Sequence, residues 1–115
     1  MHTNITIASD HNLFLDTHDK IIDAIGACYG SEGLLLTEND VGEAFFNIET
    51  RFAGELFQKF ATYRTPLAFV LEDFSRHGKR FQELASEHSN HKSIRFFHTV
   101  PEAVDWLSSQ AETDG

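Results

Sequence analysis

Thr50 is the residue whose type and setting most suggest chemistry. It opens an amphipathic stretch from Thr50 to Tyr63, in which Phe52, Leu56 and Phe60 recur at helical spacing and Ala53 and Phe57 widen the stripe. A hydroxyl at a helix N-terminus stands where backbone N–H groups and the helix dipole favour an anion. A phosphoryl group there would be stabilised within the chain and would repel an acidic partner surface. Thr50 is therefore a candidate phosphoacceptor, although the same hydroxyl also makes an ordinary helix cap. The opposite face of the stretch carries Arg51, Glu55, Gln58, Lys59 and Thr62, with Glu55 and Lys59 four apart in the order that favours an ion pair. Such a stripe is either a solvated face or a docking surface. Arg51, Glu55, Gln58 and Lys59 are its candidate binding residues.

Asp73 and Ser75 follow a short apolar run and so fall at a strand's C-terminal end, where open parallel sheets often bind ligands. Ser75 equally suits a helix N-cap. Glu38, Asp40, Glu43 and Glu49 supply carboxylates, but nothing in their spacing fixes the pair that acid–base work or Mg²⁺ binding requires. His88 and His91 could fall near one helical turn. Zinc needs three or four convergent ligands, and no HExxH or cysteine cluster is present, so no metal site is expected. No Walker A loop, GxGxxG or GxSxG occurs, and no cofactor is implied. Cys28 is the only cysteine, which excludes an intrachain disulfide. Its neighbours Ile25, Ala27 and Tyr29 point to a buried structural thiol.

The elements that must position these residues follow from periodicity. Ile5 and Ile7 alternate as in a strand, Ser9 to Asn12 is turn chemistry, and Leu13 to Leu15 returns as a second short strand, so a β-hairpin is expected. Asp16 or Thr17 caps a helix with Ile21, Ile22, Ile25 and Cys28 at helical spacing, ended by Gly30. Gly33 to Thr37 and Leu67 to Leu71 are short continuous apolar runs, as in buried strands. Asp73 to Ser75 opens a helix through Phe81, Leu84 and Ala85. Ile94 to Phe97 is the last strand, and Thr99-x-x-Glu102 with Pro101 starts the last helix, burying Val104 and Leu107. Strands alternating with helices imply an α/β fold with a mostly parallel sheet and right-handed crossovers. Residues 1–110 read as one domain and 111–115 as a frayed polar tail.

The chain has 115 residues, 41% hydrophobic, including eleven phenylalanines, enough for a core without metals or disulfides. Nine Lys and Arg against eighteen Asp and Glu give a net charge of −9, which disfavours nucleic acid and anionic membranes as partners. A basic partner protein fits better, and acidity also serves solubility. The N-terminus lacks the basic and apolar regions of a signal peptide, and no run approaches a membrane span, so the cytoplasm is the expected location.

The run from Glu43 to Phe60, EAFFNIETRFAGELFQKF, resembles the signature E-x-F-F-x-L-x-T-x-L-A-G-E-x-L-Q-K-F of a bacterial family of unknown function, DUF4180. Pro66 to Ser75 resembles that family's A-I-V-G-D-F-S strand end, with Val70-Leu71-Glu72 in place of the usual V-G. The element order is also similar to that of STAS domains, the anti-sigma-factor antagonists. Ile48 to Gly54 can be laid over their I-D-S-S-G-L-G motif, matching Glu49 to the acid, Thr50 to the phosphoacceptor and Gly54 to the last glycine, while Arg51 and Phe52 depart from it. That resemblance implies a STAS-like domain and a non-catalytic regulatory or protein-interaction module, docking a partner near the start of the second helix. The alternative is a small-molecule-binding protein or small enzyme with a cleft at the strand ends, near Glu38, Thr50 and Asp73. Monomer and homodimer are both compatible with the sequence.

Overall fold

Four short apolar runs become the strands β1 (Thr6–Ile7), β2 (Leu34–Thr37), β3 (Leu67–Val70) and β4 (Ile94–Phe97) of a computed structural model that describes residues 5–47, 50–88 and 93–113. Between and after them lie α1 (His18–Ala27), α2 (Glu43–Phe46), α3 (Phe52–Thr62), α4 (Lys79–Glu87) and α5 (Val100–Thr113). The sheet is parallel throughout in the order β1-β2-β3-β4, with Thr6 opposite Leu34, Leu34 opposite Leu67 and Leu67 opposite Ile94. The α/β class and the parallel sheet expected from the alternation are both present.

Strand order that never reverses has a consequence for the layers. Successive right-handed crossovers each return on the same side, so the crossover helices α1, α3 and α4, together with α2, share one face. There Leu34, Leu36, Leu67, Phe69, Ile94 and Phe96 pack with Ile21, Phe45, Leu56, Phe60 and Phe81. The alternate residues Leu35, Ala68 and Val70 point the other way and are covered by Ala103, Trp106 and Leu107 of α5. Aromatic rings fill the helix-side core. Phe45, with no exposed surface, stacks on Phe69 at 4.7 Å between centroids and meets Phe57 edge-on at 5.9 Å, while Phe81 meets Phe96 edge-on at 5.7 Å. Offset and edge-to-face pairs of this kind add about 0.5–1.5 kcal/mol beyond the area they bury.

The expected N-terminal hairpin is not formed. After β1 the chain makes a 3₁₀ turn, Ala8–His11, closed by Asn12 in the left-handed region at φ 55°. Leu15 then pairs in parallel with Val41: its N–H donates to the Asp40 carbonyl, and the Gly42 N–H donates back to the Leu15 carbonyl. Leu13 to Leu15 is thus not the returning strand expected: only Leu15 bridges, in parallel and to Val41, a long-range contact that the local residues do not specify. In α1, Ile21, Ala24 and Cys28 face the core, whereas Ile22 lies about a quarter-turn around and is 53% exposed.

The helix expected to open at Ser75 begins four residues later. Phe74–His77 is a 3₁₀ turn, and the chain is then broken by Gly78 at φ 96°, ψ 163°, a conformation that a side chain would strain, before α4 starts at Lys79. Gly33 has a different constraint: a Cβ there would stand 2.6 Å from the Pro66 carbonyl oxygen and 2.8 Å from Leu107 Cδ2, so glycine lets α5 close on the sheet. At the head of α5 the Glu102 N–H donates to Thr99 Oγ1 and the Thr99 hydroxyl donates to Glu102 Oε1, so the expected cap is present in side-chain form. α5 extends through Thr113. No helix among the described residues is long and apolar enough to cross a membrane.

Candidate functional site

The stripe that buries Phe52, Ala53, Leu56, Phe57 and Phe60 fixes which side of α3 faces outward. Both ends of the helix are tightly specified. At its head the Thr50 hydroxyl donates to the carbonyls of Ala44 at 2.6 Å and Asn47 at 2.7 Å, and Thr50 Oγ1 accepts the Phe52 N–H at 3.3 Å. This oxygen therefore ties the end of α2 to the start of α3. At the other end the Thr65 N–H donates to the Phe60 carbonyl and the Arg64 N–H to the Ala61 carbonyl, with Arg64 left-handed at φ 55°. That is a Schellman cap with arginine where glycine is usual.

Over the outward side runs a groove of about 720 Å³, lined by Arg51, Gly54, Glu55, Gln58, Lys59 and Tyr63 along α3 and by Leu84 of α4. The binding candidates Arg51, Glu55, Gln58 and Lys59 all lie on it, while Thr50 stands at its head with its hydroxyl turned to backbone carbonyls. The expected Glu55–Lys59 ion pair is replaced: Glu55 pairs with His18 of α1, whose ring packs 5.4 Å from Phe52. Among the described residues, Arg51, Gln58 and Lys59 make no ion pair or side-chain hydrogen bond. Gly54 is exposed, its φ lies outside the left-handed region, and a Cβ there would meet nothing within 4 Å. Neither backbone strain nor a close neighbour within the chain explains a glycine at that position.

The strand-end candidates lie elsewhere. Asp73 is exposed, its carbonyl accepting the Arg76 N–H at 3.2 Å, and the Ser75 side chain lies outside the described residues, as do Glu49 and His91. The C-terminal ends of β2, β3 and β4 frame a shallow depression of about 360 Å³ lined by Thr37, Glu38, Asn39, Glu72, His98 and Thr99. Its polar groups largely satisfy one another. The Thr37 hydroxyl and N–H both donate to Asp40 Oδ2, at 2.8 and 2.9 Å, which caps the 3₁₀ turn Glu38–Asp40. Glu38 is bridged by Arg76 Nη1 at 3.3 Å and faces His77 Nε2 at 3.5 Å. The His77 ring lies flat on Phe46, 3.6 Å between centroids. His98 Nδ1 sits 3.2 Å from the Glu72 carbonyl.

Thr37, Phe46, Glu72, Arg76, His77 and His98 are members of this cluster that the sequence reading did not single out. A strand order that never reverses also supplies none of the switch-point crevice in which doubly wound sheets bind ligands. Among the described residues no three His, Cys, Asp or Glu side chains converge as metal ligands, and His88 Nδ1 instead faces the Leu84 carbonyl at 2.8 Å. Cys28 is 5% exposed, and burial pushes its thiol above the ordinary range, partly opposed by the hydroxyls of Thr6 and Ser31. A thiol so held is a poor nucleophile at neutral pH.

No curated protein matches this chain, and no solved structure does. A family model does, that of the domain of unknown function DUF4180, over residues 2–107, and it covers the strands, the helix layer and the whole outer face of α3: the chain belongs to this family.

Proposed function

We propose that this protein is a non-catalytic regulatory module that docks a protein partner on the outer face of α3. The observation that carries this reading is the groove over α3, lined by a glycine that nothing among the described residues requires. A bare helical position weakens the helix relative to alanine and lets another backbone approach closely. Thr50 and Gly54, the positions laid over the STAS phosphoacceptor and last glycine, stand at the head of this groove and support the same reading. The strand-end face supports ligand chemistry less well, because Glu38 is bridged by Arg76 and Asp40 by Thr37.

The test is site-specific photocrosslinking in cells that make the protein. A photoreactive phenylalanine replaces Gln58 in the groove or Gln82 on the outside of α4. A partner adduct from position 58, absent from position 82 and abolished by Gly54→Arg, is the expected result. Adducts insensitive to Gly54→Arg, or none at position 58, overturn the reading.

A further inference from the structure

We propose that the groove over α3 receives an extended acidic segment of a partner protein, whose two carboxylates meet Arg51 and Lys59 while an apolar side chain rests on Tyr63 and Leu84. This rests on the docking reading above and adds the chemistry of the occupant.

Charge is the first argument. The chain carries a net charge of −9, yet the charged groups of the groove without a partner among the described residues are both cations, Arg51 and Lys59. Glu55, the carboxylate among the described lining residues, is turned to His18 of α1. Complementary charge fixes register and selects partners, and here it selects an anionic one. Two cations on so acidic a chain make no track for a phosphate backbone, which needs a row of them.

Spacing is the second argument. Arg51, the left-handed residue that caps α3, and Lys59 are eight positions apart, which at about 1.5 Å per residue is about 12 Å along the axis. An extended chain advances about 3.3 Å per residue, so carboxylates about four residues apart span that distance. Side chains of a strand alternate, so an even separation puts both carboxylates on the same side, facing α3. Along the helix axis Gly54 falls between the two cations, and around it on the far side of Arg51 from Lys59, with open space in which a partner's backbone can approach. Tyr63, 57% exposed, and the half-buried Leu84 provide the apolar contact.

The experiment is selection of a random peptide library on the full chain, followed by fluorescence anisotropy of the enriched peptides. Each peptide is measured against wild type, Gly54→Arg, Thr62→Trp as a second blocking variant at another lining residue, and the Arg51→Glu/Lys59→Glu double variant. The expected result is enrichment of peptides with Asp or Glu about four residues apart. Their affinity should fall about tenfold or more in the double variant and weaken as salt rises. Peptides blocked by Gly54→Arg or Thr62→Trp that carry no acidic pair, or that keep their affinity in the double variant, overturn the acidic occupant and leave the docking reading standing. Peptides that no groove variant affects overturn both. Concentration-dependent dimerisation abolished by Gly54→Arg would make the occupant a second copy of this chain and would also overturn the proposal.

Discussion

On the outer face of α3, Arg51, Gln58 and Lys59 project over a groove without partners among the described residues, beside a glycine with open space above it. At the strand ends, Thr37 and Asp40 are bound to each other, and Glu38 is bridged by Arg76, with the buried His77 Nε2 facing it at 3.5 Å without a hydrogen bond. Both surfaces are polar, and both were candidate sites on sequence grounds. The difference is what would happen if the side chains were removed. A group paired within the chain contributes to folding, and deleting it leaves its partner unsatisfied. A group without a partner contributes little to folding, and its loss is felt only when something else arrives. The comparison therefore predicts opposite phenotypes for the two faces.

The largest effect belongs to the strand ends. Asp40 is 8% exposed, and its carboxylate accepts both the N–H and the hydroxyl of Thr37. Asp40→Ala removes a cap and leaves two donors unpaired, so unfolding in urea should show a loss of about 2 kcal/mol. Lys59→Ala, assayed the same way, should stay within about 0.5 kcal/mol of wild type. A reversal of that ranking would remove the distinction between the two faces.

Thr50 lies between the two cases, because it heads the groove but its hydroxyl is bound inward. Thr50→Val keeps the shape and deletes the donor to the Ala44 and Asn47 carbonyls and the acceptor of the Phe52 N–H. A loss of about 1 kcal/mol is expected, restored by Thr50→Ser. Phosphorylation of Thr50 would remove the same donated hydrogen, so a phosphorylated chain that unfolds at the wild-type urea midpoint would show that these contacts matter little.

The contrast also explains what the sequence could and could not reveal. The polar stripe on α3 is legible because a helix converts spacing into a face: residues that follow the period from Arg51 to Lys59 must lie together whatever the rest of the chain does. β2, β3 and β4 are legible as short apolar runs for a similarly local reason. The cluster of Glu38 with Arg76 is not, because its partners stand 38 residues apart and meet only through the parallel pairing of β2 and β3. The N-terminal hairpin fails on the same ground. Leu15 is extended as its neighbours indicate, but Val41, its partner, is brought in by the 3₁₀ turn that Asp40 caps. Local backbone state is written in local sequence, and long-range contact is not.

Two glycines sharpen the reading of α3. Gly54 and Gly26 are both helical, exposed, and clear of any neighbour within 4 Å of an added Cβ. Alanine at either position should stabilise the chain, by roughly 0.5–1 kcal/mol from backbone entropy, less at the ends of the helices where both lie. The thermal midpoint of each variant checks this. Only Gly54→Ala should also weaken peptide binding in the groove. Destabilisation by Gly54→Ala would mean that the fold itself requires the glycine, and the principal support for docking would go.

The smallest effect tests the strand-end face at its weakest point. The Arg76 side chain is 54% exposed, and its contact to Glu38, at 3.3 Å, is long for a charge-assisted bond. An ion pair this exposed contributes about 0.5 kcal/mol or less and is screened by salt. Arg76→Ala should therefore shift the urea midpoint slightly at low ionic strength and not measurably at high. Glu38 would still face His77 Nε2, whose ring is fixed against Phe46, so the turn should keep its place. A large, salt-insensitive loss would mean that Arg76 positions the turn through packing of its stem. An unchanged chain that gains affinity for a small anion or cation would return the strand ends to contention as a binding site, because it would show that Arg76 had been occupying that site from within.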